Sequence, residues 1–521
     1  VAQIIDRLKV DREFRSNLTA WKTLQPRPAQ YADFPEGLNP KLIDGLKKRG
    51  IPSLYTHQRE AVDAALAGEN VCVVTPTASG KTLCYNVPVL NRLMQNPEAR
   101  ALYLFPTKAL SQDQVNELKS TIEDLDVRIG TYTFDGDTPT SARKAIRSAG
   151  HIVVTNPDML HAGILPHHTI WIKLFENLEF VVIDEVHHYR GVFGSHLANV
   201  LRRLRRICAF YKSDPQFICC SATINNPKEL AERIIEKPVH LVDKSGAPTG
   251  EKHFLFFNPP VVEPELGIRR SSVKEATRIA SQFLSRGVQS IVFARSRLRV
   301  EILTTYLKEA VRRMNKPDAL VRGYRGGYLP TERRDIEKGL REGQIMAVVS
   351  TNALELGIDI GSLDVCIMAG YSGSVASTWQ QSGRAGRRSG TSLAVLVASS
   401  APLDQYIITH PEYFFEQPPE SGTVDPNNLI IVTSHIKCAA FELPFVDGES
   451  FGLDAASTKE ILDYLAENRI LRYVKGKWHW SADTYPAEDI SLRTAAPGNV
   501  VILDTSDNGR VIGEIDLFAA P

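Results

Sequence analysis

From about residue 50 to residue 400 the chain repeats one pattern: a short β-branched apolar run, a polar or Gly/Pro turn, then an amphipathic stretch. The first series of runs covers 71–74, 101–105, 152–154, 180–183 and 217–220. After the turn-rich segment 244–252 a second series covers 254–257, 291–293, 346–349, 365–368 and 393–397. Uninterrupted apolar strands are buried on both faces, and strands that alternate with helices build parallel sheets. The expected fold is therefore α/β, two doubly wound parallel-sheet domains in tandem, over 51–245 and 252–425. Ligands of such sheets bind at the carboxyl ends of the strands, so the polar residues just after each run are where chemistry is sought.

The flanks read differently. Residues 1–50 are expected to form a mostly helical extension with a Pro-containing extended piece near 26–40. Over 426–488, helical patterns at 430–441 and 458–468 precede an aromatic-rich hairpin pattern at 470–480, which fits a winged-helix-like module. Residues 489–521 alternate like β-strands and are expected to stop inside or at the edge of a domain. Opening on Val1, the chain is read as a processed or trimmed piece. Its net charge of +1, from 61 basic and 60 acidic residues, argues against holding polyanions by bulk charge. The seven cysteines are scattered with no C-x-x-C pair, which fits reduced, buried thiols of an intracellular protein and supplies no zinc ligand set. The apolar runs are of strand length and the N-terminus lacks a signal-peptide core, so a cytoplasmic protein without a membrane partner is expected.

After the run 71–74 comes Thr75-Pro-Thr77-Ala78-Ser79-Gly80-Lys81-Thr82, opening an amphipathic stretch. This is a phosphate loop: Thr77 to Gly80 offer backbone N–H groups to phosphates, Lys81 reaches the β and γ phosphates of ATP, and Thr82 ligates Mg²⁺. The strict pattern wants Gly where Thr75 stands. The run 180–183 then delivers Asp184-Glu185 at its carboxyl end. Asp184 would hold the Mg²⁺ through water, and Glu185 would orient and deprotonate the attacking water. In the second half, Gln380-Gln-Ser-Gly-Arg384-Ala-Gly-Arg387-Arg388 places Arg384 and Arg387 on one helical face, as arginine fingers that make hydrolysis depend on domain closure, with Gln380 a further catalytic candidate.

These motifs, in this order, resemble those of superfamily two helicases, which implies two RecA-like domains. Leu54-Tyr55-Thr56-His57-Gln58 is similar to the adenine-reading segment, with Gln58 on the base. Residues 106–110 and 155–158 resemble the first-domain nucleic-acid motifs, and Ser221-Ala222-Thr223 the coupling motif, to which His187 also belongs. Residues 292–296 and 350–359 resemble motifs four and five, the latter implying nucleotide contacts from Gly357 and Asp359. The Asp184-Glu185-Val186-His187 box, with 134–138, 323–334, 380–388 and 425–444, looks like the branch of bacterial mitomycin repair factor A (YprA-like) and Hrq-type helicases. That resemblance implies a 3′ to 5′ DNA helicase in DNA repair, nucleoid-associated, acting on single-stranded DNA and tailed or forked duplexes. Those relatives end in a cysteine-rich metal-binding domain, and this sequence has no four clustered cysteines.

A motor stepping along one strand needs phosphate contacts on both domains. Thr107, Asn156, Arg295 and Thr351 are the residues the matching motifs offer, with Arg325 beside the glycines 326–327. Ordinary helix capping explains the same residue types. Only 362–378 separates motifs five and six, which leaves no room for a long strand-separating hairpin. Trp478, with His479 and Trp480, is the candidate for stacking on an opened base. Two other readings share the ATP site: an RNA helicase or remodeller, and a nucleic-acid clamp that does not hydrolyse ATP.

Overall fold

The computed structural model describes residues 1–357, 360–361, 363–386, 390–493, 499–504 and 510–516. Every apolar run of the sequence forms a strand. The first sheet runs in the order His240–Val242, Val71–Val74, Gln216–Ser221, Leu178–Ile183, Arg100–Leu104, Ile152–Thr155 and Thr131–Thr133, all parallel. Val71 and Val73 enter the core on one face, Cys72 and Val74 the core on the other, so no polar residue can interrupt the run. The second sheet runs Lys252–Phe257, Ser392–Val397, Val365–Ala369, Ser290–Ala294, Ala347–Ser350 and Val321–Tyr324, again parallel. The two doubly wound domains are as expected.

The N-terminal segment is not the separate helical extension expected. Leu18–Leu24 is a strand that pairs antiparallel with Lys252–Phe257, with Leu24 opposite Lys252, and so edges the second sheet. The helices Ala2–Val10 and Arg12–Ser16 insert Ile4, Ile5, Leu8 and Phe14 into the second domain's core, where Phe14 stacks on Phe257 at 5.1 Å. The chain then crosses to the first domain, where Tyr31 pairs with Tyr55. On the way it zips to the interdomain linker. Arg27 and Thr249 exchange backbone hydrogen bonds of 2.9 and 3.0 Å, and Gln30 N–H donates to Gly246 O at 2.8 Å. The hinge between the domains therefore has two strands of chain.

The C-terminal module has helices Leu429–Glu442 and Ala455–Glu467 and a three-stranded sheet closed by Leu471–Val474 and Lys477–Trp480. It docks on the first domain's long helix Gly191–Phe210 through charge. Arg203, fully buried, donates from Nε to Glu442 Oε1 at 3.0 Å and from Nη1 to His161 Nδ1 at 2.6 Å. Arg206 pairs with Glu449 at 2.5 Å and stacks 4.0 Å from the centre of the Phe445 ring. His196 and His435 meet at 3.0 Å, and burial, then Arg203, pushes the His435 imidazole well below its usual range, so it stays neutral. Trp478 is 1 % exposed in the module's own core. The expected stacking role for Trp478 is thereby corrected: its ring has no face to offer a base. Among the described residues no helix is long and apolar enough to cross a membrane.

Candidate ATP site and strand groove

The phosphate loop bridges the Val71–Val74 strand and the helix Lys81–Gln95. Gly80 caps that helix at φ +82°, and a Cβ there would lie 2.6 Å from Gln58 Nε2, so only glycine fits. Thr75 Oγ1 and Ser79 Oγ share a 2.6 Å hydrogen bond that braces the loop from inside, and Lys81 Nζ donates to Thr75 O at 2.8 Å. Gln58, expected on the base, is 2 % exposed and commits its carboxamide to the loop: Nε2 donates to Gly80 O at 2.9 Å and Oε1 accepts from Tyr55 N–H at 2.9 Å. In this arrangement Gln58 fixes the phosphate loop.

Asp184 and Glu185 follow the Leu178–Ile183 strand, with Glu185 in the left-handed region at φ +55°. That turn aims the two carboxylates differently. Burial, with the adjacent Glu185 carboxylate, pushes the Asp184 carboxyl up, against the pull of Lys81. A buried acid held toward protonation, with the Lys81 charge near and Tyr85 Oη donating to it at 3.4 Å, fits a divalent cation, whose charge would restore the carboxylate. Among the described residues no group of three or more His, Cys, Asp or Glu gathers for a metal, so a Mg²⁺ held by Thr82 and Asp184 would take its other ligands from phosphates and water.

A cavity of ≈ 530 Å³ lies between the domains, walled by Pro76 to Ser79 and Thr223 on one side and by Lys252, Trp379, Gln380, Gly383 and Gly386 on the other. Leu24, Gln25 and Arg27 of the N-terminal crossing also line it, a contribution that no motif announced. The domains are close: a Cβ on Gly383 would stand 3.3 Å from Thr77 Cβ, and one on Gly357 3.5 Å from Glu185 Oε1. Of the two expected fingers, Arg384 is 1 % exposed and donates from Nη2 to Glu355 O at 2.7 Å, so here it braces motif five. Arg387 and Asp359 lie outside the described residues.

His187 links the two halves. Burial holds its imidazole near 3, hence neutral, and Nδ1 accepts from Ala222 N–H at 3.1 Å, with Ser221 Oγ at 3.5 Å. The ring proton is then on Nε2, which meets the Gln380 carboxamide at 2.5 Å. A carboxamide can flip, and its oxygen is the end that satisfies Nε2–H. One imidazole thus joins the coupling motif of the first domain to motif six of the second. Gln380→Ala is expected to leave basal ATP hydrolysis within a few-fold of the parent while abolishing most of its stimulation by single-stranded nucleic acid. An ATPase titration with an oligonucleotide reads it, and full stimulation would remove Gln380 from the coupling path.

Beyond His187 a second set of cavities crosses both domains. One of ≈ 500 Å³ is lined by Thr107, Lys108, Asn156 and Asp158, one of ≈ 290 Å³ by Thr107, Phe193, Asn352 and Ala353, and one of ≈ 560 Å³ by Arg190, Arg295, Ser372 and Ser374. Thr107 and Asn156 line the first of these cavities and Arg295 the third, and the second adjoins the first through Thr107 and the third through Asn352. Thr107 and Asn156 also cap helices, accepting from Leu110 N–H at 3.4 Å and Met159 N–H at 2.9 Å, and Thr351 accepts from Ala353 N–H at 3.4 Å. Arg325 is not among the lining residues of these cavities: it pairs with Glu301 at 2.6 Å and stacks on Tyr328 at 4.8 Å. Ser372 and Ser374 were within reach of the strand-end rule, since they follow Val365–Ala369, but carry no motif signal.

Two facing parallel-sheet domains with a phosphate loop, an acidic pair and a histidine bonded to both domains define an ATPase of the helicase superfamily two class. Residues 55–230 match the DEAD/DEAH box helicase family, 275–389 the helicase conserved C-terminal domain, and 424–495 the winged helix domain of ATP-dependent helicase HRQ1. The chain is 56 % identical to the ATP-dependent helicase YprA of Bacillus subtilis over 98 % of its own length and 68 % of that protein's. It is 37 % identical to the ATP-dependent helicase HRQ1 of Saccharomyces cerevisiae over 99 % of its length, spanning 49 % of the yeast protein. The crystal structure of helicase MrfA bound to DNA and AMPPNP matches all of this chain with a TM-score of 0.91 at 55 % identity, covering 72 % of that chain. The protein belongs to the YprA and Hrq family of ATP-dependent helicases.

Proposed function

We propose that this chain is an ATP- and Mg²⁺-driven DNA helicase that moves 3′ to 5′ along a single-stranded tail of tailed or forked duplex DNA, in DNA repair at the nucleoid. The observation that carries this reading is the groove. Strand-end residues of both domains, Thr107 and Asn156 with Arg295, Ser372 and Ser374, line it, as does His188, whose neighbour His187 meets Gln380 of the ATP cleft. Contacts of this kind read phosphates, which lets a motor step without regard to sequence. DNA as the substrate is supported by the DNA-bound structures of MrfA. Polarity and the repair role rest on the family resemblance.

The test is steady-state ATPase with no nucleic acid, single-stranded DNA, duplex DNA and RNA, beside unwinding of 3′-tailed and 5′-tailed duplexes. Stimulation by single-stranded DNA with unwinding of the 3′-tailed substrate alone is expected. Stimulation by RNA alone would move the substrate to RNA, and nucleic-acid binding without turnover would leave a clamp.

A further inference from the structure

Arg493 belongs to none of the helicase motifs, yet it stands in the groove. It lies at the end of the winged-helix match, and its neighbour Leu492, 1 % exposed, is sunk in the first domain's core, which fixes where Arg493 emerges. The guanidinium lines the two adjoining cavities that hold Thr107, Asn156 and Asn352. It lies 4.5 Å from the centre of the Phe193 ring, with Nη2 3.3 Å from Asp158 Oδ2. Both members of that ion pair are half exposed, at 57 % and 50 %, so water and solute reach them and the pair is weak. The same groove wall carries a second cation held by an acid, Lys108 on Asp137 at 2.8 Å.

A planar guanidinium binds a carboxylate and a phosphodiester through the same fork of N–H donors. We propose that Arg493 is a phosphate clamp on the bound single strand, and that Asp158 occupies its fork until a backbone phosphate displaces the carboxylate. The proposal rests on the reading of the groove as the strand track. It gives the end of the winged-helix module a direct hand in holding the strand, and it keeps this cation neutralised until the strand enters, in keeping with a chain whose net charge is only +1.

Binding of fluorescent oligodeoxythymidylate and oligouridylate, by anisotropy over a range of salt, tests it. Arg493→Ala is expected to weaken both oligomers roughly tenfold and to flatten the slope of log K against log salt by about 0.7, the loss of one phosphate contact on a single strand. Asp158→Asn is expected to tighten binding several-fold, an opposite sign that no loss of folding produces, and the gain should vanish in the Arg493→Ala background. Arg493→Lys, which keeps the charge, should keep the salt slope. Unchanged affinity and slope in Arg493→Ala would overturn the clamp, as would an Asp158→Asn gain that persists in full without Arg493, or a loss confined to one of the two oligomers. Failure of the unsubstituted protein to bind either oligomer would instead overturn the groove reading itself.

Discussion

Glu185→Gln is expected to bind ATP about as tightly as the parent and to hydrolyse it about a thousandfold more slowly, within the range a positioned general base supplies. Glutamine matches the shape of glutamate, and Glu185 sits in a left-handed turn at the end of a strand whose last four residues are buried, so the backbone that aims it is set by Leu178–Ile183 rather than by the carboxylate. What is lost is the acceptor for a water proton. The neighbouring Asp184 would not take over the role, since its carboxylate would be engaged by the Mg²⁺ it helps to hold and would not be free to accept a water proton. Lys81→Ala should behave differently, losing nucleotide affinity together with turnover, because Lys81 lies on the loop that wraps the phosphates. Titration with a fluorescent ATP analogue beside steady-state turnover separates the two. Near-normal turnover in Glu185→Gln would displace Glu185 from the base role.

The second large effect is on stability. Glu442→Ala strands the Arg203 guanidinium, 0 % exposed, in the interface between the first domain and the winged-helix module. Breaking one side of a fully buried ion pair costs about 3–5 kcal/mol, because the remaining charge has no solvent to turn to. The neighbouring imidazoles do not rescue it. His161 and His435 are held neutral by burial, and they can accept from Arg203 but cannot offset its charge. Urea unfolding followed by tryptophan emission, with Trp478 and Trp480 in the module, is expected to show the module detaching at a lower urea concentration. The paired replacement Arg203→Met with Glu442→Leu should recover part of the loss, since no charge is then stranded. An unchanged midpoint in Glu442→Ala would mean that the apolar contacts alone hold the module.

Both sheets were legible because parallel strands covered on two faces must be apolar throughout, and 71–74 or 393–397 can be little else. The strands that escaped notice lie at sheet edges. Thr131–Thr133, Val321–Tyr324 and Leu18–Leu24 mix polar residues with apolar ones because one side of each meets solvent. The last also pairs with residues more than two hundred positions away, which no local pattern reveals. The ATP site was legible because its chemistry sits on one loop and one strand end, both contiguous in sequence. Gln58 and Arg384 were found but their partners were not, since each bonds a backbone carbonyl, Gly80 O and Glu355 O, that carries no side-chain signature. Trp478 was misread because alternating aromatics serve a core and a stacking platform equally well, and only the helices packed over the strand decide between them.

The strand Leu18–Leu24 has a consequence for biosynthesis. Its partner, Lys252–Phe257, is made more than two hundred residues later, which at ribosomal rates of about 5–20 residues per second is a delay of roughly 10–50 s. During that interval the helices carrying Ile4, Ile5, Leu8 and Phe14 have no core to enter, while the first domain, whose seven-stranded sheet lies between residues 71 and 242, can close around itself. A piece of the second domain is therefore made ahead of the first domain and must be kept from sticking elsewhere until its partner strand is translated. A nascent chain arrested shortly after residue 245 should hold a folded first domain beside a protease-sensitive N-terminus.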